Sequence, residues 1–180
     1  MEFSTERLLI RELSLADMEK IHILHSFREI DEFNTIGIPE TIQTTEALLN
    51  EWITQQKSIP RMSYIFSIIH IQSNEFIGLI ALNLGKVSFK NAEIWYKIHP
   101  SYWRQGFATE ALTKILDYGF YELHLHRIEA GVAVENIPSI KMLEKVGMIK
   151  EGRKRQFLPI RGMWVDNYFY SILDTDFIKA

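Results

Sequence analysis

The sequence contains no cysteine. That excludes disulfides and a catalytic thiol. No apolar run approaches the length of a membrane-spanning helix, and Glu2 and Glu6 stand where a signal peptide would carry basic and then apolar residues. A cytoplasmic protein is the default expectation. Basic charge is not in excess either: 20 Lys and Arg against 23 Asp and Glu leave a net charge of −3, which argues against a nucleic-acid partner held by a general electrostatic footprint. Two common phosphate-binding patterns are missing. The chain has neither the Gly-Lys-Ser/Thr of a P-loop nor the three spaced glycines of a dinucleotide fingerprint. Internal repeats, low-complexity tracts and linkers are also absent. What remains is 180 residues, 47% hydrophobic, enough for a single domain over residues 1–180 with a sizeable core.

The stretch from Ala92 to Leu112, AEIWYKIHPSYWRQGFATEAL, carries the chemistry that can be read first. Its β-formers Ile94, Trp95, Tyr96 and Ile98 end at Pro100, and a helix opens around Gly106 after a short polar, aromatic turn. The first turn of a helix leaves N–H groups unpaired and carries the positive end of the macrodipole, so a loop feeding into it can cradle an anion. Gly106, without Cβ, allows close approach to the backbone. Taken alone, the same loop also reads as an ordinary βα connection.

The rest of the chain alternates recognisable periods. Glu6 to Leu13 reads as a strand, and Ser14-Leu15-Ala16-Asp17 as a helix start. Periodicity fades from Phe27 to Thr45, where Glu29, Asp31, Glu32 and Glu40 give an acidic character that fits a solvated surface or a site for a cationic acceptor. A helix capped by Thr44 or Thr45 follows, with Leu48, Leu49, Trp52 and Ile53 as its apolar stripe. Polar turns then separate β-rich runs at Tyr64 to Ile71, Phe76 to Leu84 and Ala92 to Ile98, implying antiparallel hairpins. His126 to Val134 alternates cleanly and closes a β-α-β crossover. Pro138 sits at the first turn of a helix that stops at Gly147, and strands from Met148 to Arg155 and from Met163 to Leu173 end the chain. His124-Leu125-His126 does not match a zinc spacing and is read as non-metal.

Several of these phrases together resemble the GNAT N-acetyltransferases. Residues Arg104 to Thr109 are similar to the family's acetyl-CoA pyrophosphate loop, with Trp103 where the motif has Gln or Arg. The opening Thr5 to Leu13, the phrase Tyr102-Trp103 before the loop, Ala108-Thr109-Glu110-Ala111 after it, and Asn136-Ile137-Pro138-Ser139 followed by Lys145-Val146-Gly147-Met148 resemble the RimJ/RimL branch. The resemblance implies an α/β (α+β) GNAT fold: a mixed sheet of about six to seven strands with a splayed parallel pair, flanked by about four helices. It further implies an acetyl-CoA-dependent N-acetyltransferase, without a metal, acting on a protein N-terminal α-amine or a small-molecule amine, possible as a homodimer. The alternative is a non-catalytic acetyl-CoA or CoA-binding sensor or scaffold, because the place of the family's frequent tyrosine acid is Leu143.

Carried over residue by residue, the backbone of Trp95, Tyr96, Lys97 and Ile98 pairs with the pantetheine arm. The N–H groups of Arg104, Gln105, Gly106, Phe107, Ala108 and Thr109 hold the pyrophosphate. Asn136 fixes the arm at the splay, Ser139 is the candidate acid, and Glu93 is the candidate base. Arg104, Lys141 and Lys145 are candidates for the 3′-phosphate. Without the resemblance, Asn136 and Ser139 read equally as helix-start residues, and Glu93 as the outward residue of an alternating strand.

Overall fold

The computed structural model describes residues 1–177. Thirteen elements follow in order: β1 (Glu2–Ser4), β2 (Leu8–Glu12), α1 (Met18–Ser26), α2 (Arg28–Asp31), α3 (Ile42–Gln56), β3 (Ser63–His70), β4 (Glu75–Leu84), β5 (Asn91–Ile98), α4 (Phe107–Tyr121), β6 (Arg127–Ala133), α5 (Ile137–Lys145), β7 (Ile149–Ile160) and β8 (Met163–Leu173). The strands form one sheet in the order β1-β2-β3-β4-β5-β6-β8-β7, antiparallel except for the β5–β6 pair.

The sheet separates two apolar layers because its strands alternate. On one face Ile80 and Leu82 of β4 and Ile94 and Ile98 of β5 pack with Ala111, Leu112, Ile115 and Leu116 of α4. On the other, Leu79 and Ala81 of β4 meet Ile21 and Leu24 of α1 and Leu49 and Trp52 of α3. One strand therefore feeds both layers, and neighbouring residues of β5 look out on different surroundings.

The expected mixed sheet with a splayed parallel pair is present, with eight strands and five α-helices among the described residues against the about six to seven and about four expected. One additional strand arises because residues 2–12 form a hairpin, with Glu2 opposite Arg11 and Ser4 opposite Leu9. The additional helix is α2, a single turn inside the segment where periodicity fades. Two boundaries also differ. Thr41, whose side chain accepts the Thr44 N–H, caps α3 in place of Thr44 or Thr45. β7 continues through Arg155 to Ile160, so Arg153, Lys154 and Arg155 lie within a strand and not at its end.

Candidate active site

The parallel β5–β6 ladder has only three rungs, Asn91–Arg127, Ala92–Ile128 and Glu93–Glu129. Beyond them each strand keeps its outer neighbour. β5 stays paired with β4 as far as Ile98 opposite Gly78, and β6 with β8 as far as Ala133 opposite Asn167. The inner edges, Ile94–Ile98 and 130–133, therefore face one another across a gap with no ladder between them. Backbone donors and acceptors that a sheet would consume are left for an extended ligand.

At the C-terminal end of β5 stands the loop that leads into α4. Gly106 is its N-cap with φ of +84°, and Arg104 before it also has a positive φ, 62°. The first helical bond of α4 runs from the Glu110 N–H to the Gly106 carbonyl at 3.0 Å. Consequently the N–H groups of Phe107, Ala108 and Thr109 have no acceptor within the helix. Three side chains pin this loop. The Trp103 indole donates to the Ile98 carbonyl at 2.6 Å, the Gln105 amide to the Ser101 carbonyl at 2.9 Å, and Arg7 to the Gln105 carbonyl at 3.0 Å. The departure at Trp103 thus ties the loop back to the strand it leaves.

Arg7 and Glu110 were not legible as site residues from their spacing. Glu110 accepts hydrogen bonds from the Thr5 hydroxyl and from the Arg7 N–H at 3.0 Å, and the Arg7 guanidinium pairs with it at 2.6 Å. Desolvation alone would raise the carboxyl's pKa, but these donors hold it below the usual range. The Arg7 guanidinium also lies over the Phe107 ring at 4.4 Å. The one available signal was the Thr5-Glu6-Arg7 phrase at the chain start, more than a hundred positions away from its partner in sequence.

On the α4 and α5 side of the gap, the Asn136 side chain accepts the Ser139 N–H at 3.2 Å and caps α5. The cap reading of Asn136 is thereby established as one of its roles. The Ser139 hydroxyl is hydrogen-bonded to the Tyr96 hydroxyl, which crosses from β5. Burial pushes the Tyr96 phenol up to about 12, with the Ser139 contact opposing the shift. Leu143 lies in the core, 1% exposed. Lys141 and Lys145 are exposed along α5, Lys145 in its last turn.

The other face of β5 carries Glu93, Trp95 and Lys97. Glu93 is the last rung beside Glu129, with Asn83 on its other side. Its tip reaches solvent and has no hydrogen-bond or ion-pair partner among the described residues. Desolvation and then the neighbouring Glu129 charge raise its pKa, with Lys154 opposing them. Glu129 itself is paired with Arg127 at 2.6 Å. His99, six positions along, accepts from the Ser101 N–H at 3.2 Å and packs on Phe27 and Tyr102, away from Glu93. Trp95 stacks at 5.9 Å with Trp52, and the two rings form part of the wall of a cavity of about 530 Å³ that Asn83, Ser63 and Met62 also line. Of the acidic segment after Phe27, Asp31 is buried in a pair with Arg161 at 2.8 Å, while Glu40 lines a second cavity. His126 pairs with Asp174 at 3.1 Å.

Known proteins share this arrangement. A family model described as an acetyltransferase (GNAT) domain matches residues 7–149. The uncharacterized N-acetyltransferase p20 of Bacillus licheniformis is 33% identical over 173 residues, covering 96% of each chain. The [ribosomal protein uS5]-alanine N-acetyltransferase of Escherichia coli is 27% identical over 186 residues, covering 98% of this chain and 92% of the relative. The crystal structure of spermidine N-acetyltransferase from Vibrio cholerae in complex with CoA and spermine superposes with a TM-score of 0.84 at 28% identity, covering 96% of this chain and 98% of that one. A strand pair that separates after three rungs beside a glycine-headed helix, matched along nearly the whole chain, makes this protein a member of the GNAT acetyltransferase family and an enzyme of its N-acetyltransferase class.

Proposed function

We propose that the enzyme transfers acetyl from acetyl-CoA directly to a primary amine, in the manner of the RimJ/RimL branch, without a covalent enzyme intermediate. The observation that carries this reading is the β5–β6 gap, open after the Glu93–Glu129 rung and closed at its far end by the Arg104–Thr109 loop. Acetyl-CoA supplies the thioester. The free inner edge of Trp95 to Ile98 suits amide groups of an extended arm, and the unpaired N–H groups at the head of α4 suit a pyrophosphate.

The acceptor comes from the α1 and α3 side, where Glu93 stands. An ammonium cannot attack, and Glu93 removes its proton directly or through one water. A raised pKa makes Glu93 a stronger base than an ordinary carboxylate. The acceptor decides how much help is needed: an α-amine has a free pKa of about 8 and a lysine-type amine about 10.4. As the nitrogen bonds to the acetyl carbon, the carbon–sulfur bond breaks and the thiolate departs. The Tyr96–Ser139 hydroxyl pair, reaching the gap from the other face, donates a hydrogen bond to that sulfur. With Tyr96 near 12 and a thiol near 8.5, outright proton transfer from the phenol would be uphill, so the pair stabilises the thiolate and solvent supplies the proton.

The test is release of free thiol from acetyl-CoA with a panel of amines: peptides with free N-termini, polyamines and aminoglycosides. Amine-dependent release that falls on Glu93→Gln supports the reading. Tight binding of acetyl-CoA with no amine-stimulated release would replace it with the sensor alternative.

A further inference from the structure

Lys97 projects from β5 on the same face as Glu93 and Trp95, and its ammonium meets the His25 Nε2 of α1 at 3.2 Å. His25 is 1% exposed. Its neighbour on α1, His22, is hydrogen-bonded to the Thr45 hydroxyl of α3 at 2.8 Å. A second cavity, of about 360 Å³, opens beside His25 and runs under Ile36 to Glu40 and the first turns of α3.

The charge balance of this cluster differs from the rest of the molecule. Partly buried Arg7, Arg11, Arg61, Arg127 and Lys114 each meet a carboxylate. Lys97 meets none among the described residues, and the charges felt by His25 are those of Lys97 and His22. Glu40 lies at the exposed rim of the cavity. Burial pushes the Lys97 amine down to about 8, and His25, desolvated beside it, down to about 3. A half-buried cation without a carboxylate is costly unless an anion completes it.

We infer that Lys97, with His25 and His22 behind it, receives an anionic group of the acceptor, so that the preferred substrate is an amino-carboxylate whose amine lies toward Glu93 and whose carboxylate lies toward Lys97. This rests on the transferase reading above for the position of the amine. Four residues of strand separate the two side chains, a span of roughly 13 Å between Cα atoms, so an acceptor lying along Trp95 reaches both. The same cation repels a second ammonium. Specificity on this chain accordingly runs toward amino acids and acidic peptides and away from polyamines.

The experiment compares ω-amino acids with α,ω-diamines of the same chain lengths, binding to the CoA-loaded full chain followed by the fluorescence of Trp52 and Trp95. At neutral pH the amino acids bind tighter by about ten-fold, the scale of one charge-assisted hydrogen bond. Lys97→Met removes the preference and Lys97→Arg keeps it, CoA binding by both variants serving as the check that β5 is intact. Diamines binding as tightly as amino acids to the unaltered chain, a preference unmoved in Lys97→Met, or no binding of either series overturns the inference. Thiol release, read in parallel, separates the two claims. Binding that favours the carboxylate without turnover removes the transferase reading alone, whereas efficient turnover of diamines keeps that reading and removes this one.

Discussion

The two faces of β5 are built differently. Toward α4 and α5 the side chains around the gap are tied to one another and to the backbone: Asn136 with Ser139, Tyr96 with Ser139, Arg7 with Glu110 and Gln105, Trp103 with Ile98. Toward α1 and α3, Glu93 at one end of the strand and Lys97 at the other form no ion pair among the described residues, and cavities of about 530 and 360 Å³ lie nearby. A cofactor common to a whole family can be met by a pre-tied, backbone-based site. An acceptor that differs between members has to be met by side chains whose charges it completes.

This contrast predicts that variants on the first face act on CoA affinity and variants on the second on turnover and acceptor choice. The largest effect belongs to Glu93→Gln, which lowers kcat by about a hundred-fold or more, the scale of general-base catalysis, with CoA affinity retained. Its pH profile sharpens the point. In the unaltered enzyme activity falls as pH drops through the raised pKa of Glu93, because the protonated carboxyl cannot accept a proton; in Glu93→Gln that limb is gone. Gly106→Val comes next. A β-branched residue at φ of +84° costs about 1–3 kcal/mol, which appears as roughly ten- to a hundred-fold weaker CoA binding by calorimetry. If it altered acceptor KM and spared CoA, the division between the faces would fail.

How much of this was legible in the chain followed from distance along it. The Gly106 loop, the Asn136 cap and the alternation of β5 are local patterns, set by turn chemistry and period within a dozen residues, and they were readable. The Arg7–Glu110 pair closes over more than a hundred residues, and no local pattern announces it. Thr41 rather than Thr44 caps α3 because all three threonines near that start satisfy the composition rule and only backbone geometry selects one. Glu93 became a candidate only through the family resemblance, since its strand position alone reads as an outward polar residue, and its neighbour Glu129 depends on β5–β6 register. Lys97 was taken for its backbone, and the partner that gives its side chain a role lies on α1.

Smaller effects refine the comparison. For an amino-carboxylate acceptor, the Lys97-dependent preference weakens as pH rises through about 8, since the amine loses its charge there; His25, held near 3, and the carboxylates do not change charge over that range in a way that could mimic it. Glu110→Gln frees Arg7 and loosens the loop, raising KM for acetyl-CoA by several-fold, about the value of one exposed ion pair with its hydrogen bonds. Ser139→Ala lowers kcat by about ten-fold or less, because it removes one hydrogen bond to the leaving sulfur and not a proton donor.

The most direct measurement is the rate of thiol release from acetyl-CoA by the full chain, with and without amines, for the unaltered enzyme and Glu93→Gln. The account predicts release that depends on the amine and collapses in the variant while CoA still binds. Amine-stimulated release that is undiminished in Glu93→Gln would contradict the division of labour between the faces of β5, and acetyl-CoA binding without any amine-stimulated release would contradict catalysis itself.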